Sequence, residues 1–429
     1  MPSDRKMVIA WSFYDWANSA FATTVMVAFF PVFFKSFWCQ GVPATLSTER
    51  FGIGNTLTGV FIAVLSLFLG AYADTGRDKK KLLGYFMLVG VCATAALYWV
   101  PRGEWPAALL LFSVATIGWS CSCLFYDSLL LDVADKERMD FVSSLGFAMG
   151  YLGGGILFAL NLLMVMKPGF FGLADKSHAV RASFLSVALW WLVFSLPILI
   201  FIKYRRFAHV SGARAILNDS LRRLAGTAVK IARRRELLLF LIAYWLYYDG
   251  VITFIKMATD FGLSIGFPAE SVMIALLSVQ FVSFPASLLF GAWAGKFGAR
   301  RIIVIGIIIY LIVILFGVFF LTKPMHFIFF ACLTALAQGG IQALSRSYFG
   351  KLIPHEDATE YFGFYNVVGR MAVVGPAMVG ILAQALYRFG VAGPIASRIG
   401  MASTAILFLA GGFLLIAADH ARLEAQEHA

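Results

Sequence analysis

Apolar residues in this chain neither alternate nor keep to one face of a helix; they fill whole windows. Twelve such windows follow one another, at about 7–35, 51–73, 82–101, 106–128, 142–166, 182–203, 237–258, 270–294, 301–322, 325–345, 361–387 and 395–418. Charged residues, glycine and proline gather in the gaps. A helix needs roughly 20 apolar residues to cross a bilayer, and each window is of that order. In lipid every backbone polar group must be bonded internally, so helices or closed barrels are the spanning solutions. Continuous runs such as Arg301 to Thr322 fit helices and not the alternating segments of a barrel. The pattern predicts an all-α membrane protein of about twelve transmembrane helices.

Composition agrees. Of 429 residues, 60% are hydrophobic and 14% charged, and 42 are Phe. A soluble chain carries about a quarter charged residues. Cys39, Cys92, Cys121, Cys123 and Cys332 show neither a paired framework nor zinc spacing, and read as small buried hydrophobes. No metal site or cofactor is expected. The polar MPSDRK opening runs into the first apolar window with no cleavable signal before it.

The net charge of +12 matters through its placement. With the N-terminus inside, the inner loops hold 24 of the 35 basic residues and the outer loops nine; Lys256 and Arg370 fall within spans. The positive-inside rule then places both termini in the cytoplasm. Residues 204–236 form the longest hydrophilic stretch. Leu217, Leu221 and Leu224 recur there at helical spacing beside Arg222 and Arg223, as in an amphipathic linker resting on anionic lipid. Nothing else in the chain supports a nucleic-acid role.

The linker divides the chain into halves, 1–203 and 237–429, and the halves echo each other. Gly70-Ala-Tyr-Ala-Asp74-Thr-Gly76-Arg77-Asp78-Lys79-Lys80 follows the second span, and Gly291-Ala-Trp-Ala-Gly295-Lys296-Phe-Gly298-Ala-Arg300-Arg301 follows the eighth. Phe13-Tyr14-Asp15 matches Tyr247-Tyr248-Asp249. Asp132–Gly150 overlays Leu352–Arg370 at an offset of 220, close to the 221 between Gly70 and Gly291. Like-oriented repeats of this kind are related by an axis along the membrane normal. The loop motif resembles the signature of the major facilitator superfamily, Gly-x-x-x-Asp-Arg-x-Gly-Arg-Arg, with one residue missing between Asp74 and Gly76. The resemblance implies two six-helix halves working by alternating access, with Gly70, Asp74, Arg77 and Lys79, and Gly291, Gly298, Arg300 and Arg301, as gate positions. Ordinary positive-inside charge is the plainer account of the basic clusters.

A narrower resemblance rests on four segments. Trp11-Ser-Phe-Tyr-Asp15-Trp-Ala-Asn18-Ser-Ala-Phe21 looks like the opening of the vacuolar effluxer family, the autophagy-related amino-acid exporters and their bacterial relatives. Val142-Ser-Ser-Leu-Gly146-Phe-Ala-Met-Gly150-Tyr-Leu-Gly-Gly-Gly155 is similar to its fifth-span motif. Tyr244-Trp-Leu-Tyr-Tyr-Asp249-Gly250 and Gly339-Gly-Ile-Gln342-Ala-Leu-Ser-Arg346-Ser match two more. The resemblance implies transport, with amino acids or short peptides as the first substrate class.

Ionisable groups inside spans are costly and mark candidate sites. Asp15 lies eight residues past Met7, about 12 Å into its span, and shares a face with Trp11 and Asn18. Asp249 lies roughly 20 Å past Glu236, in line with Trp245, Thr253 and Lys256. In the superfamily the first, fourth, seventh and tenth spans line the central cavity, so the two aspartates are expected to face each other there, flanked by Tyr14 and Tyr248. They are fitted to bind a cationic group or a proton; a hydrogen bond to a neighbouring helix is the alternative. Arg370, about 14 Å into the eleventh span, needs an anion. Asn366, Gln338 and Gln342 add neutral polar groups, and Lys256 sits where it can snorkel. Asp127 and Arg346 fall at the inner mouth. Glycines 150 and 153–155 suggest close helix contact at the moving interface between halves, and Pro285 and Pro376 suggest kinks. No nucleophile–base constellation stands out, so no enzyme is expected. The leading expectation is a monomeric permease for a small polar organic solute, with the proton as a candidate coupling ion. Lipid or lysophospholipid flipping and a transport-inactive scaffold are the alternatives.

Overall fold

The computed structural model describes residues 5–42, 44–73, 78–202, 226–371 and 374–427. Twelve helices are long and apolar enough to cross a membrane: α1 (Arg5–Trp38), α2 (Arg50–Gly70), α3 (Lys79–Trp99), α4 (Trp105–Val133), α5 (Met139–Met166), α6 (Lys176–Phe201), α7 (Arg235–Ala258), α8 (Ser271–Phe297), α9 (Ala299–Gly317), α10 (Pro324–Leu352), α11 (Ala358–Arg388) and α12 (Gly393–Ala418). The linker segment 204–225 and the motif residues Asp74 and Arg77 lie outside the described residues.

Local chemistry sets the helix ends. The Asp78 carboxylate accepts the Lys81 amide at 3.1 Å and caps α3, and Asp175 accepts the His178 amide at 2.8 Å and caps α6. Each satisfies an amide that the first helical turn leaves without a partner. Gly298 alone separates α8 from α9. Its φ of +89° is a conformation that a side chain disfavours, and its amide closes on the Ala294 carbonyl. Both α4 and α10 outrun their apolar windows: α4 ends at Val133 and α10 at Leu352. The extra turns of α10 carry Arg346 and Lys351, which stay helical because each has buried polar partners. Cys92 departs from the expectation for the cysteines and is exposed.

Helix pairing repeats between the two halves of the sequence. α1 packs on α6 and α7 on α12; α2 packs on α4 and α8 on α10; α3 packs on α4 and α9 on α10. This is the parallel repeat expected from the motif offsets. Aromatic side chains fill the cores. Phe30 stacks on Phe112 at 4.0 Å and Trp16 on Trp190 at 5.6 Å, while Tyr310 stacks on Phe408 at 4.8 Å. Helix α1 turns π-helical over Phe21–Phe29 and Phe34–Trp38, just past its polar residues. Wide turns of this kind are frequent at functional sites.

The chain forms two compact units, each including a short segment from the other half of the sequence. Unit 1 comprises Met1–Asp135, Met149–Leu221 and His355–Gly363; unit 2 comprises Lys136–Ala148, Arg222–Pro354 and Phe364–Ala429. Thus the first turns of α5 belong to unit 2 and the first turns of α11 to unit 1.

Candidate functional site

In unit 1 the sequence Trp11-Ser-Phe-Tyr14-Asp15-Trp-Ala-Asn18 places its polar groups on one stripe of α1, and α4 completes them. The Tyr126 hydroxyl donates to Asp15 Oδ2 at 2.7 Å. Asn18 Nδ2 donates to the Tyr14 carbonyl at 2.7 Å and lies 3.5 Å from Asp15 Oδ1. Trp119 Nε1 donates to Asn18 Oδ1 at 3.1 Å. Trp11 stacks on Tyr126 with ring centroids 4.3 Å apart and sends its indole N–H to the Tyr126 carbonyl at 3.0 Å. Tyr14 closes the other side at 5.1 Å from Tyr126. Trp11, Tyr14 and Asn18 are buried, whereas Asp15 is only partly so. The result is a carboxylate in a rigid aromatic and amide frame. Tyr126 and Trp119 were not singled out by sequence; a Tyr one residue before Asp127 and a Trp two turns earlier were the available signals.

Asp249 in unit 2 has a different setting, although it is the sequence counterpart of Asp15. It is 1% exposed. Its Oδ2 accepts the amides of Val374 and Gly375, each at 3.0 Å, and its Oδ1 is buried without a hydrogen-bond partner among the described residues. Those amides open the second of two helical segments into which α11 divides, Ala358–Arg370 and Val374–Arg388. Pro376, where a kink was expected, lies in the first turn of the second segment. Pro376 has no N–H for the bond four residues back and suits a first helical turn. Thr253 donates to the Asp249 carbonyl at 2.7 Å, and the Trp245 indole donates to the Met371 carbonyl at 3.0 Å. Nearby, Tyr244 stacks between Tyr248 at 4.8 Å and Tyr365 at 4.3 Å.

The remaining candidates scatter around these two centres. Gln338 is buried, and Gln342 donates to the Gln338 carbonyl at 3.3 Å on the same helix. Asn366 is partly buried on the first segment of α11. Arg370 ends that segment, and its side chain lies outside the description. Lys256 is exposed and Asp127 is partly buried. Three of the fifth-span glycines, Gly150, Gly153 and Gly154, make close contact with α1. A Cβ on Gly150 would meet Ser19 Oγ at 2.5 Å, and one on Gly153 would meet Trp16 at 2.6 Å. Large side chains on α1 can lie that close only against glycine.

A third polar cluster ties the first turns of α5 to α10 within unit 2. Asp140, 2% exposed, accepts from Lys351 Nζ at 2.6 Å and from the Ser347 hydroxyl at 2.7 Å. Arg346, also buried, donates to Ser143 Oγ and to the Ser143 carbonyl, both at 2.9 Å, and its guanidinium lies over the Phe147 ring at 4.5 Å. Ser143 in turn donates to the Ala343 carbonyl at 2.7 Å. Gly291 on α8 lets this turn approach, since a Cβ there would meet Ser144 Cβ at 2.5 Å. Unit 1 repeats the design. A Cβ on Gly70 would meet the Thr359 carbonyl at 2.8 Å, beside Glu360 in the first turn of α11. Asp140 and Glu360 are 220 positions apart, the offset of the internal repeat, and both are buried. Of the other gate positions, Lys79 is buried at the start of α3, and Arg300 and Arg301 open α9.

Twelve spans paired as two parallel repeats define a secondary transporter of the major facilitator fold. The solved proton:xylose symporter XylE superposes with a TM-score of 0.67 at 12% identity, over 94% of this chain and 93% of that one. FucP in its outward conformation superposes at 0.65 with 15% identity, over 96% and 99%. Within that class, residues 51–140 and 131–427 match the family described as "Vacuole effluxer Atg22 like", and the chain belongs to it. The MFS-type transporter YxiO of Bacillus subtilis is 38% identical over 378 residues, 87% of this chain and 88% of that protein. Autophagy-related protein 22 of Coccidioides immitis is 23% identical over 99% of this chain and 89% of its own length. The protein is a multi-pass membrane transporter and not an enzyme.

Proposed function

We propose that this transporter is a permease for a small polar organic solute bearing a cationic amino group, with amino acids and short peptides first. It works in a bacterial inner membrane with both termini in the cytoplasm. The observation that carries the reading is Asp15, a partly accessible carboxylate within a membrane span, held by Tyr126 and framed by Trp11, Tyr14, Asn18 and Trp119. A buried charge is retained where a counter-charge or proton offsets its desolvation. Aromatic faces beside a carboxylate favour an ammonium group, by cation–π attraction as well as by charge. Because both Oδ2 and the frame around it are already hydrogen-bonded, the carboxylate is pre-oriented and loses little on binding. An amino group meets its counter-charge at Asp15, and the resemblance to the vacuolar effluxer family makes amino acids and short peptides the first substrates to try.

Uptake into proteoliposomes, screened over amino acids, short peptides and lysophospholipids with and without a pH gradient, is the test. Uptake of an amine-bearing solute that drops at least tenfold in Asp15→Asn, per mole of folded protein, supports the reading. Uptake of lipid alone, or of nothing, overturns it.

A further inference from the structure

We propose that Asp249 is a proton-binding lock on α11: charged, it holds the second segment, Val374–Arg388, by its first two amides, and protonation at Oδ1 loosens that hold. The proposal deepens the transport reading and rests on it for its use, but not for its test.

Three observations meet at one carboxyl. Its Oδ2 takes the amides of Val374 and Gly375, each at 3.0 Å. Its Oδ1 is buried with no hydrogen-bond partner among the described residues. A Cβ built on Gly375 would lie 3.1 Å from that Oδ1 and inside contact distance of Thr253 Oγ1, so Oδ1 is aimed at the helix's first turn, and only glycine lets the segment come so near. The two oxygens therefore differ. One is held by the positive end of a helix, where a negative charge is favoured. The other has lost its water and gained nothing, which is the costly state of a buried polar atom. A proton added at Oδ1 forms one O–H bond and takes the group from −1 to neutral, which removes the cost of holding a charge out of water. The amides then donate to a neutral oxygen, and hydrogen bonds to ionised groups are roughly twice as strong as neutral ones. The hold on the segment weakens while its geometry survives.

The neighbouring elements determine what else bears on that charge. Along α7 they are Tyr248, next in sequence, and Lys256, two turns on and exposed. Tyr365 and Arg370 belong to the first segment of α11. On α10 the tyrosine is Tyr348, and in α12 Arg398 donates to the Leu321 carbonyl. No second carboxylate lies within α7 between Glu236 and the end of the span, so the proton has one acceptor there.

The two segments of α11 are tied to α7 differently. The first segment ends at Arg370, and the Met371 carbonyl is held by the Trp245 indole at 3.0 Å. The first segment is thus tied to α7 by a neutral donor and the second by a titratable acceptor four residues along. Loss of charge at Asp249 changes only the second tie.

The full chain in lipid nanodiscs, without substrate, provides two readouts. The first is acid–alkaline difference infrared spectroscopy, reading the carbonyl stretch of a protonated carboxyl. The second is the spin-label distance between Ile242→Cys on α7 and Ile381→Cys on the second segment, both exposed positions, in a background without the native cysteines. Acidification should raise the carboxyl band and lengthen or broaden the distance distribution. Asp249→Asn, whose amide oxygen can still accept both N–H groups but carries no charge, should lose the band and show the acid distribution at both pH values. Should that variant fail to fold, Gly375→Ala should give the acid distribution at alkaline pH, because its methyl holds the segment away. A carboxyl band as strong in Asp249→Asn as in the wild type, or wild-type distances that ignore pH, overturns the proposal. Both readouts are independent of uptake, so a failed substrate screen leaves them standing and a failed lock leaves Asp15 untouched.

Discussion

Replacing Asp140 with alanine removes the acceptor shared by Lys351 and Ser347. The Asp140 side chain is 3% exposed and that of Lys351 27%, at an N–O distance of 2.6 Å. Breaking a fully buried pair costs about 3–5 kcal/mol, because the surviving charge is left without compensation. Lys351 sits at the end of α10 and can turn part of its ammonium to water, so the lower end applies, about 3 kcal/mol. Ser347 is fully buried but also donates to its own Leu344 carbonyl at 3.1 Å, so its loss adds little. At about 2–4 °C per kcal/mol for a unit of this size, the midpoint should fall by roughly 6–12 °C. Thermal unfolding in detergent is the assay, run as a double-mutant cycle with Lys351→Met. The double mutant should be more stable than Asp140→Ala alone, since it no longer buries an unpaired ammonium. A single mutant within about 0.5 kcal/mol of wild type, or a strictly additive cycle, would refute the pair as a tie between α5 and α10.

Gly70→Val should cost about 2–4 kcal/mol, as over-packing and backbone displacement do, because a Cβ there would lie 2.8 Å from the Thr359 carbonyl; a midpoint unchanged in detergent would show that α2 and α11 do not need that approach. Tyr126→Phe removes the hydroxyl that orients Asp15 and should lower uptake about tenfold, the worth of one hydrogen bond to a charged group, while leaving the folded fraction unchanged; equal uptake would remove Tyr126 from the site. With the N-terminus in the cytoplasm, Ala232→Cys, an exposed position before α7, should react with an impermeant thiol reagent only in inverted or opened membranes, and labelling of intact cells reverses the topology. The His178 amide, together with the His178 ring, holds the exposed Asp175 carboxyl below its ordinary range. Its capping contribution is therefore present above the ordinary carboxylate pKa and fades as pH falls through the lowered one; amide exchange in the first turn of α6 should rise, relative to intrinsic rates, only at that acid end.

Much of this molecule is legible in its sequence, for a reason specific to lipid. A bilayer core offers no hydrogen bonds, so each apolar window of the right length must become a helix, and the windows are visible one residue at a time. The repeat was visible too: the offset of 220 that overlays Asp132–Gly150 on Leu352–Arg370 is the offset that pairs Asp140 with Glu360. Asp15 was found from cost alone, since a charge within an apolar run demands an explanation. Its partners were not, because Tyr126 and Trp119 lie more than 100 residues away, and in an aromatic-rich chain a tyrosine that bonds a carboxylate looks like one that packs. Sequence treated Asp15 and Asp249 as equivalent, and the tertiary structure separates them. The first meets a side-chain hydroxyl and stays partly open, while the second accepts the backbone amides of Val374 and Gly375 at the start of the second helical segment of α11. Hydrophobic length determines that a segment spans the membrane. Which buried charge finds a side chain, which finds a helix end and which glycine lets them meet depend on how separate spans pack.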